Sequence, residues 1–391
     1  MKKTADAVII GGGAVGTSTL YHLTKLGMPD VVLLEKGGLA SASTGDSAAI
    51  VRQHYSNEVS IRLVKRTVEI LKNFPDDMGV DVFNQIGWCF LVPSEAEDSF
   101  AENMPRLKGL GIRTWEISVE EAVKEHLPGL NPDGIAHVAY EPDGGYADPH
   151  AMCGGFVDRA RDAGAEVHLN TPSTGITMSG DKVTGVITDQ GEISAPIVVN
   201  AAGPWASQVG SWVGLDLPLE ISREQEMMLQ VPVDAPTPER SVSNMVERIY
   251  FRPTKQQGTI LVGVGHPKEN EPVSPEDYNR TADTKFIEDA GSRLAHRMPH
   301  LANAKVTASW AGLYTITPDW SMIVDSAPGV EGMYLAVGGS GHSFKLAPAI
   351  GQCLAEMIVN GDSTTVDISA LRATRFDQGD ELRSTYGGNR G

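Results

Sequence analysis

Cysteine is scarce: Cys89, Cys153 and Cys353 are the only three, far apart and odd in number. That pattern excludes a disulfide framework and a C-x-x-C metal or redox motif, and makes a reducing cytoplasm the expected setting. Positive charge is also short, with 32 Lys plus Arg against 50 Asp plus Glu and a net charge of −18. Such a field disfavours nucleic acid and anionic membranes, so an anionic ligand must be captured by local cations working against it. Long apolar runs are missing as well, none approaching the roughly twenty residues needed to span a bilayer. The run at residues 8–10, after Lys2 and Lys3, is too short for a signal-peptide core. There is no internal repeat, low-complexity tract or metal-ligand spacing. The 41% hydrophobic and 21% charged residues fit a soluble globular protein. A chain of 391 residues exceeds one small core, so two domains or a large one with an inserted lobe are expected.

Glycine, by contrast, is plentiful and clusters near both ends of the chain. Val8-Ile9-Ile10-Gly11-Gly12-Gly13-Ala14-Val15-Gly16 is a short apolar strand running into G-x-G-x-x-G and then a helical pattern. These glycines permit a tight turn, close approach of backbone to a pyrophosphate and close helix packing. The diphosphate would then lie at a helix N-terminus, held by free N–H groups and the dipole. Val31-Val32-Leu33-Leu34-Glu35 follows as a second buried strand ending in a carboxylate suited to ribose hydroxyls, with Lys36 beside it. The nucleotide contacts expected here are Gly11, Gly13, Ala14, Val15, Gly16, Glu35 and Lys36. Ser43, Thr44 and Ser47, in the Gly, Ala, Ser and Thr-rich loop of residues 37–47, and Ser173 further on offer hydroxyls to the same ligand. The second cluster, Val337-Gly338-Gly339-Ser340-Gly341-His342-Ser343-Phe344-Lys345, would close on it from the other end of the chain.

Between these ends, Ser56 or Asn57 caps a helix carrying Ile61, Val64, Val68 and Leu71 at helical spacing. Strand-like Trp88-Cys89-Phe90-Leu91-Val92 and an acidic helix at residues 118–126 suggest an inserted lobe. A helix through Ala163 stops at Gly164, and a hairpin series turns at Gly180-Asp181 and Gln190-Gly191. The buried run at 197–203 ends in small residues, which lets backbone pass close to a ligand. The expected division is a discontinuous nucleotide domain over 1–80, 145–215 and 310–380, a second domain over 81–144 and 216–309, and a flexible polar tail over 381–391. A last helix is expected to run from Leu346 toward Ile358.

Three segments narrow the reading: Val199-Asn200-Ala201-Ala202-Gly203-Pro204-Trp205-Ala206, Trp310-Ala311-Gly312-Leu313-Tyr314-Thr315-Ile316-Thr317-Pro318-Asp319, and the cluster from Gly338 to Lys345. Taken in order, they resemble the flavin motifs of the D-amino-acid oxidase superfamily, in its sarcosine oxidase and dimethylglycine dehydrogenase branch, over nearly the whole chain. The resemblance implies an α/β, two-domain fold: a glutathione-reductase-like Rossmann domain for FAD, and a mixed or antiparallel sheet forming the substrate pocket. It adds Ala201, Ala202, Gly203, Trp205, Gly312, Gly339, Gly341, His342, Ser343, Phe344 and Lys345 to the expected FAD contacts.

The reaction implied is oxidation of the C–N bond of a small N-alkyl amino acid, with O2 or an electron carrier as acceptor and with oligomer or complex formation open. Arg52 and Lys345 match the residues that hold the substrate carboxylate in this family, though each could instead pair with a carboxylate of the protein. His266, Tyr314 and Tyr250 match pocket positions; His266 could hold the amine as free base or be structural. Two departures stand out. No cysteine precedes Tyr314 and no histidine lies in the stretch 43–46, so non-covalent FAD is expected. Val262 replaces the lysine that assists reaction with oxygen, which favours a dehydrogenase. Glycine, proline or a D-amino acid remain alternative substrates, as does an electron-transfer subunit without amine chemistry.

Overall fold

The computed structural model describes residues 2–386. Strand β1 (Ala7–Ile10), helix α1 (Ala14–Lys25) and strand β2 (Val31–Leu34) open the chain, every strand residue buried. Short Val/Ile/Leu runs of this kind suit a parallel sheet covered on both faces. The sheet has six strands in the order Ile323–Ser326, Met333–Val337, Val198–Asn200, β1, β2 and Glu166–His168, parallel except for the first. Side-chain alternation splits its contacts: Ala7, Ile9, Val31 and Leu33 pack with Leu20 and Leu23 of α1, whereas Val8, Ile10, Val32 and Leu34 pack with Ile176, Val183 and Val186 of a three-stranded meander. Helix α1 lies against Ser343–Asn360 and Pro149–Asp162. A side chain at Gly16 would meet the Gly11 carbonyl oxygen at 2.0 Å, so only glycine lets α1 start this close to the turn.

The second sheet has eight strands, in the order Lys305–Ile316, Glu220–Gln230, Thr259–Val264, Ile249–Pro253, Ser241–Asn244, Trp88–Val92, His137–Glu141 and Trp115–Ile117. All pairs are antiparallel except Ser241–Asn244 with Trp88–Val92. Its outer face, including Met227, Leu229, Val242, Phe251 and Val262, packs against Ala290 and Leu294 of the helix Thr284–Arg297. Its inner face overlooks the first sheet. Helix α2 (Glu58–Met78) is capped by Asn57, whose side chain accepts from Ser60 N at 2.9 Å.

Four expectations change. Lys305–Ile316 stays in the eight-stranded sheet throughout, so the boundary expected at residue 310 falls inside a strand. The last long helix begins at Ser343, which puts Lys345 in its first turn. Val262 packs into the outer core, away from the inner face, because Gly263 is the residue paired with inward-facing Tyr250 and Glu226. Finally, the tail expected to be flexible from 381 packs down in its described part. Leu382 N donates to Asp319 at 3.1 Å, Ser99 donates to Thr385 O at 2.6 Å, and Tyr386 is buried. The rest of that expectation, residues 387–391, lies outside the described residues.

Candidate active site

A cavity of about 870 Å³ lies between the two sheets. At one end stands the glycine turn. Gly11 has φ +119°, and a side chain there would meet the Ala201 carbonyl oxygen at 2.3 Å, so the end of Val198–Asn200 crosses directly behind the turn. Glu35, just past β2, accepts from Gly12 N at 2.6 Å and Gly37 N at 2.7 Å, which fixes its carboxylate at the rim. At the start of α1, Ala14 N donates to Thr44 Oγ1 at 3.1 Å. The Ser43 and Ser173 hydroxyls are buried without a hydrogen bond among the described residues. Leaving such a group unpaired costs about 1–3 kcal/mol, which a ligand rich in phosphate and hydroxyl oxygens would recover. Glycine cradle, helix N-terminus, rim carboxylate and orphaned hydroxyls therefore fit FAD.

Most of the expected contacts line this cavity, including Gly13, Val15, Ser47, Ala202, Gly203, Gly339, Gly341, His342, Ser343 and Phe344. Gly16 and Gly312 do not. Gly16 serves helix packing, as above. Gly312 pairs with Glu224 on the neighbouring strand, and a side chain there would meet Asp46 Cβ at 2.8 Å, so it makes room for the loop. Lys36 and Trp205 line the mouth but also engage each other: the ammonium sits 3.4 Å from the Trp205 ring and pairs with Glu276 at 3.1 Å. His342 accepts or donates at 3.3 Å with the Tyr55 hydroxyl, and burial together with the charges of Lys345 and Arg52 holds it well below the usual imidazole range.

The other end of the cavity carries Arg52, Lys345, His266, Tyr314 and Tyr250, brought together from four separate parts of the chain. Arg52 donates to the His54 carbonyl and lies 4.3 Å from the Tyr55 ring. Lys345 is 8% exposed, and its ammonium has only the Gly341 carbonyl at 3.5 Å, with no ion pair among the described residues. Burial, and then the charge of Arg52, pushes the Lys345 pKa well below the usual lysine range. An anion entering beside it would favour its charged form. His266, in contrast, faces Glu224 at 3.5 Å, with Lys268 on the same carboxylate at 2.6 Å. Burial opposes ionisation of Glu224, but these two partners outweigh it and hold its pKa low. Trp88, Phe90, Met245 and Trp320 supply apolar wall.

Glu226 and Tyr386 are among the lining residues that the sequence reading did not assign to the site. Glu226 follows Arg223, Glu224 and Gln225 in a strand whose charged and polar residues read as a solvated face. Tyr386 stands in a polar, glycine-rich tail, yet its hydroxyl is 2.8 Å from His54 Nε2. A lone aromatic among glycines was the one available signal.

The family description "FAD dependent oxidoreductase" (DAO) matches residues 6–357. The chain belongs to this family. FAD is thus the cofactor that the groove accommodates. Among relatives of this DAO-family chain, human mitochondrial sarcosine dehydrogenase is 30% identical over 379 residues, covering 92% of the chain but 40% of that protein, so the chain spans about two-fifths of its length. The sarcosine oxidase subunit beta of Rhodobacter capsulatus is 26% identical over 392 residues, covering 97% and 90%. A solved L-proline dehydrogenase from P. horikoshii superposes with TM-score 0.90 at 29% identity, covering 98% and 100%.

Proposed function

We propose that this DAO-family protein oxidises the C–N bond of a small secondary or tertiary amino acid, such as sarcosine or dimethylglycine, with non-covalently held FAD. The observation that carries this reading is Lys345, a buried amine without an ion pair among the described residues, lining with Arg52 the cavity that holds the nucleotide cradle. A substrate carboxylate entering there loses hydration and gains two charge-assisted partners, with planar Arg52 suited to bidentate capture. Anchoring the carboxylate fixes the direction of the amine and of its neighbouring C–H bond, the proximity part of catalysis. Bound FAD supplies a hydride acceptor, and the chain supplies orientation and electrostatics. Tyr250 and Tyr314 flank the site as shape and hydrogen-bonding groups.

Proline is a second reading, favoured by the close superposition on an L-proline dehydrogenase. The names of the relatives support an electron carrier as acceptor, and a place as one subunit of a complex. A reducing cytoplasm is proposed because all three cysteines are free and buried. The cofactor domain is proposed to comprise residues 2–80, 145–215 and about 317–386, with the eight-stranded sheet as roof.

Anaerobic mixing of the yellow holoprotein with sarcosine, dimethylglycine, L-proline and glycine decides the matter. Bleaching of the flavin band by at least one of the first three is expected. A band unchanged by all four would end the amine reading.

A further inference from the structure

We propose that the Glu226 carboxyl, steadied by the Tyr250 hydroxyl, accepts the proton that the substrate ammonium must lose before oxidation, leaving His266 as a partner of Glu224. This rests on the amine reading above and names a residue for it. Glu226 stands on the inner face of the eight-stranded sheet and lines the cavity. One oxygen, Oε1, is engaged by Tyr250 Oη at 2.8 Å and Ala48 N at 3.0 Å. The other, Oε2, is buried with no hydrogen-bond partner among the described residues. A carboxyl buried on a ligand-cavity wall with one oxygen committed and one open is placed to exchange a proton with what enters.

The surroundings have been set by four elements. Tyr250 and Arg252 come from Ile249–Pro253, Tyr314 from Lys305–Ile316, Asp46 and the Ala48 amide from the loop before residue 50, and Glu224 from the same strand as Glu226. On Thr259–Val264 the paired position is Gly263, which presents no side chain. Burial is the dominant influence and raises the Glu226 pKa to about 7; Tyr250, Arg252 and the Ala48 amide act against it and Asp46 with it. Tyr314 adjoins the Tyr250 hydroxyl and is itself in contact range of Gly341, so hydroxyls run from Glu226 toward the Lys345 end of the cavity.

The chemistry balances without a further reactant. The ammonium N–H bond breaks, its proton forms an O–H bond at Oε2, and nitrogen keeps the electron pair that drives hydride loss. Transfer replaces a buried ammonium and a buried carboxylate by two neutral groups, which lowers the desolvation cost of both. A carboxyl that titrates near neutrality is matched to this exchange. His266 Nε2 faces the Glu224 carboxylate at 3.5 Å, whereas Glu226 Oε2 is the oxygen left open on the wall.

The test is anaerobic flavin reduction by sarcosine and by L-proline, followed from about pH 6 to about pH 9, the range in which a general base near neutrality titrates. Wild type is expected to lose reduction rate below about pH 7. E226Q should lose that acid limb and slow by roughly 10²- to 10⁴-fold, the usual worth of a general base. Y250F keeps the carboxyl but removes a donor to its ionised form, so the limb should move to higher pH. H266Q should retain the limb.

Infrared difference spectra of the resting holoprotein give a readout without turnover: a protonated-carboxyl band should titrate near neutrality, be absent in E226Q and move upward in Y250F. If E226Q does not fold, the Y250F pair of measurements carries the same decision. An acid limb unchanged in E226Q or Y250F, or abolished in H266Q, overturns the proposal. Failure of wild type to be reduced by any amino acid would instead end the amine reading itself.

Discussion

Lys345 bears an ammonium that a protein interior would ordinarily reject. It sits in the first turn of Ser343–Asn360, 8% exposed, with Arg52 adding repulsion. A group like this costs stability, and its retention reports on what it binds. Lys345→Met, close in volume and apolar, should therefore raise the melting temperature of the ligand-free holoprotein while raising KM for an anionic substrate by ~100-fold or more, about 2.7 kcal/mol. The pH dependence has a definite sign. The folded pKa lies below 10.5, so the folded state binds fewer protons than the unfolded one in that window, and wild type gains stability as pH rises through it. The advantage of the methionine variant should shrink toward pH 10.5, as thermal unfolding at several pH values would show. Equal melting temperatures at all pH values would mean that the ammonium is paired. At this scale the sequence was informative about which cations matter, since Arg52 and Lys345 stand in distinctive local contexts, but not about Glu226. Acidic residues at alternate positions signal a solvated face whenever the facing layer is contributed by distant chain, and here that layer is the cavity.

Among elements, β1, α1 and β2 were fully legible because glycine turn, strand alternation and carboxylate are all local signals. Lys305–Ile316 was not: its first half is exposed and its second buried, so its hydrophobic pattern changes at Trp310 although its pairing with Glu220–Gln230 does not. The segment from Leu382 to Tyr386 was misread for a related reason. Its composition is that of a loose tail, and what holds it are contacts with Asp319, Ser99, Ser56 and His54, all remote in sequence. Tyr386 closes one wall of the cavity. Deleting the chain from Leu382 onward should leave FAD bound but make the flavin several-fold more accessible to iodide quenching and raise KM for small amino acids. Quenching and KM at wild-type values would show that the segment merely lies over the site.

On the scale of the whole molecule, the proposal that FAD is held without a covalent bond has a direct test. The three cysteines are buried in hydrophobic clusters or strands, none of them on the cavity wall. Brief heating or acid should therefore release the flavin quantitatively into the supernatant after the protein is precipitated; yellow colour retained in the washed pellet would reveal a covalent link. Excess free FAD should raise the melting temperature by mass action, about 2.7 kcal/mol at a hundredfold excess over Kd. The two-layer plan was readable from the sequence because both glycine clusters point to one ligand and the segments 81–144 and 216–309 read as a second sheet, while the eight-strand order and the membership of the whole of Lys305–Ile316 are legible only in the structure.

The groove is composed from β1 at the start of the chain and the turn before Ser343–Asn360 near its end, joined side by side through Val198–Asn200 in a single sheet. During synthesis the amino-terminal half of that groove leaves the ribosome long before its complement exists. Nascent polypeptide can thus have no complete flavin site until the turn before Ser343–Asn360 has emerged, so capture of the flavin must wait for both ends of the groove.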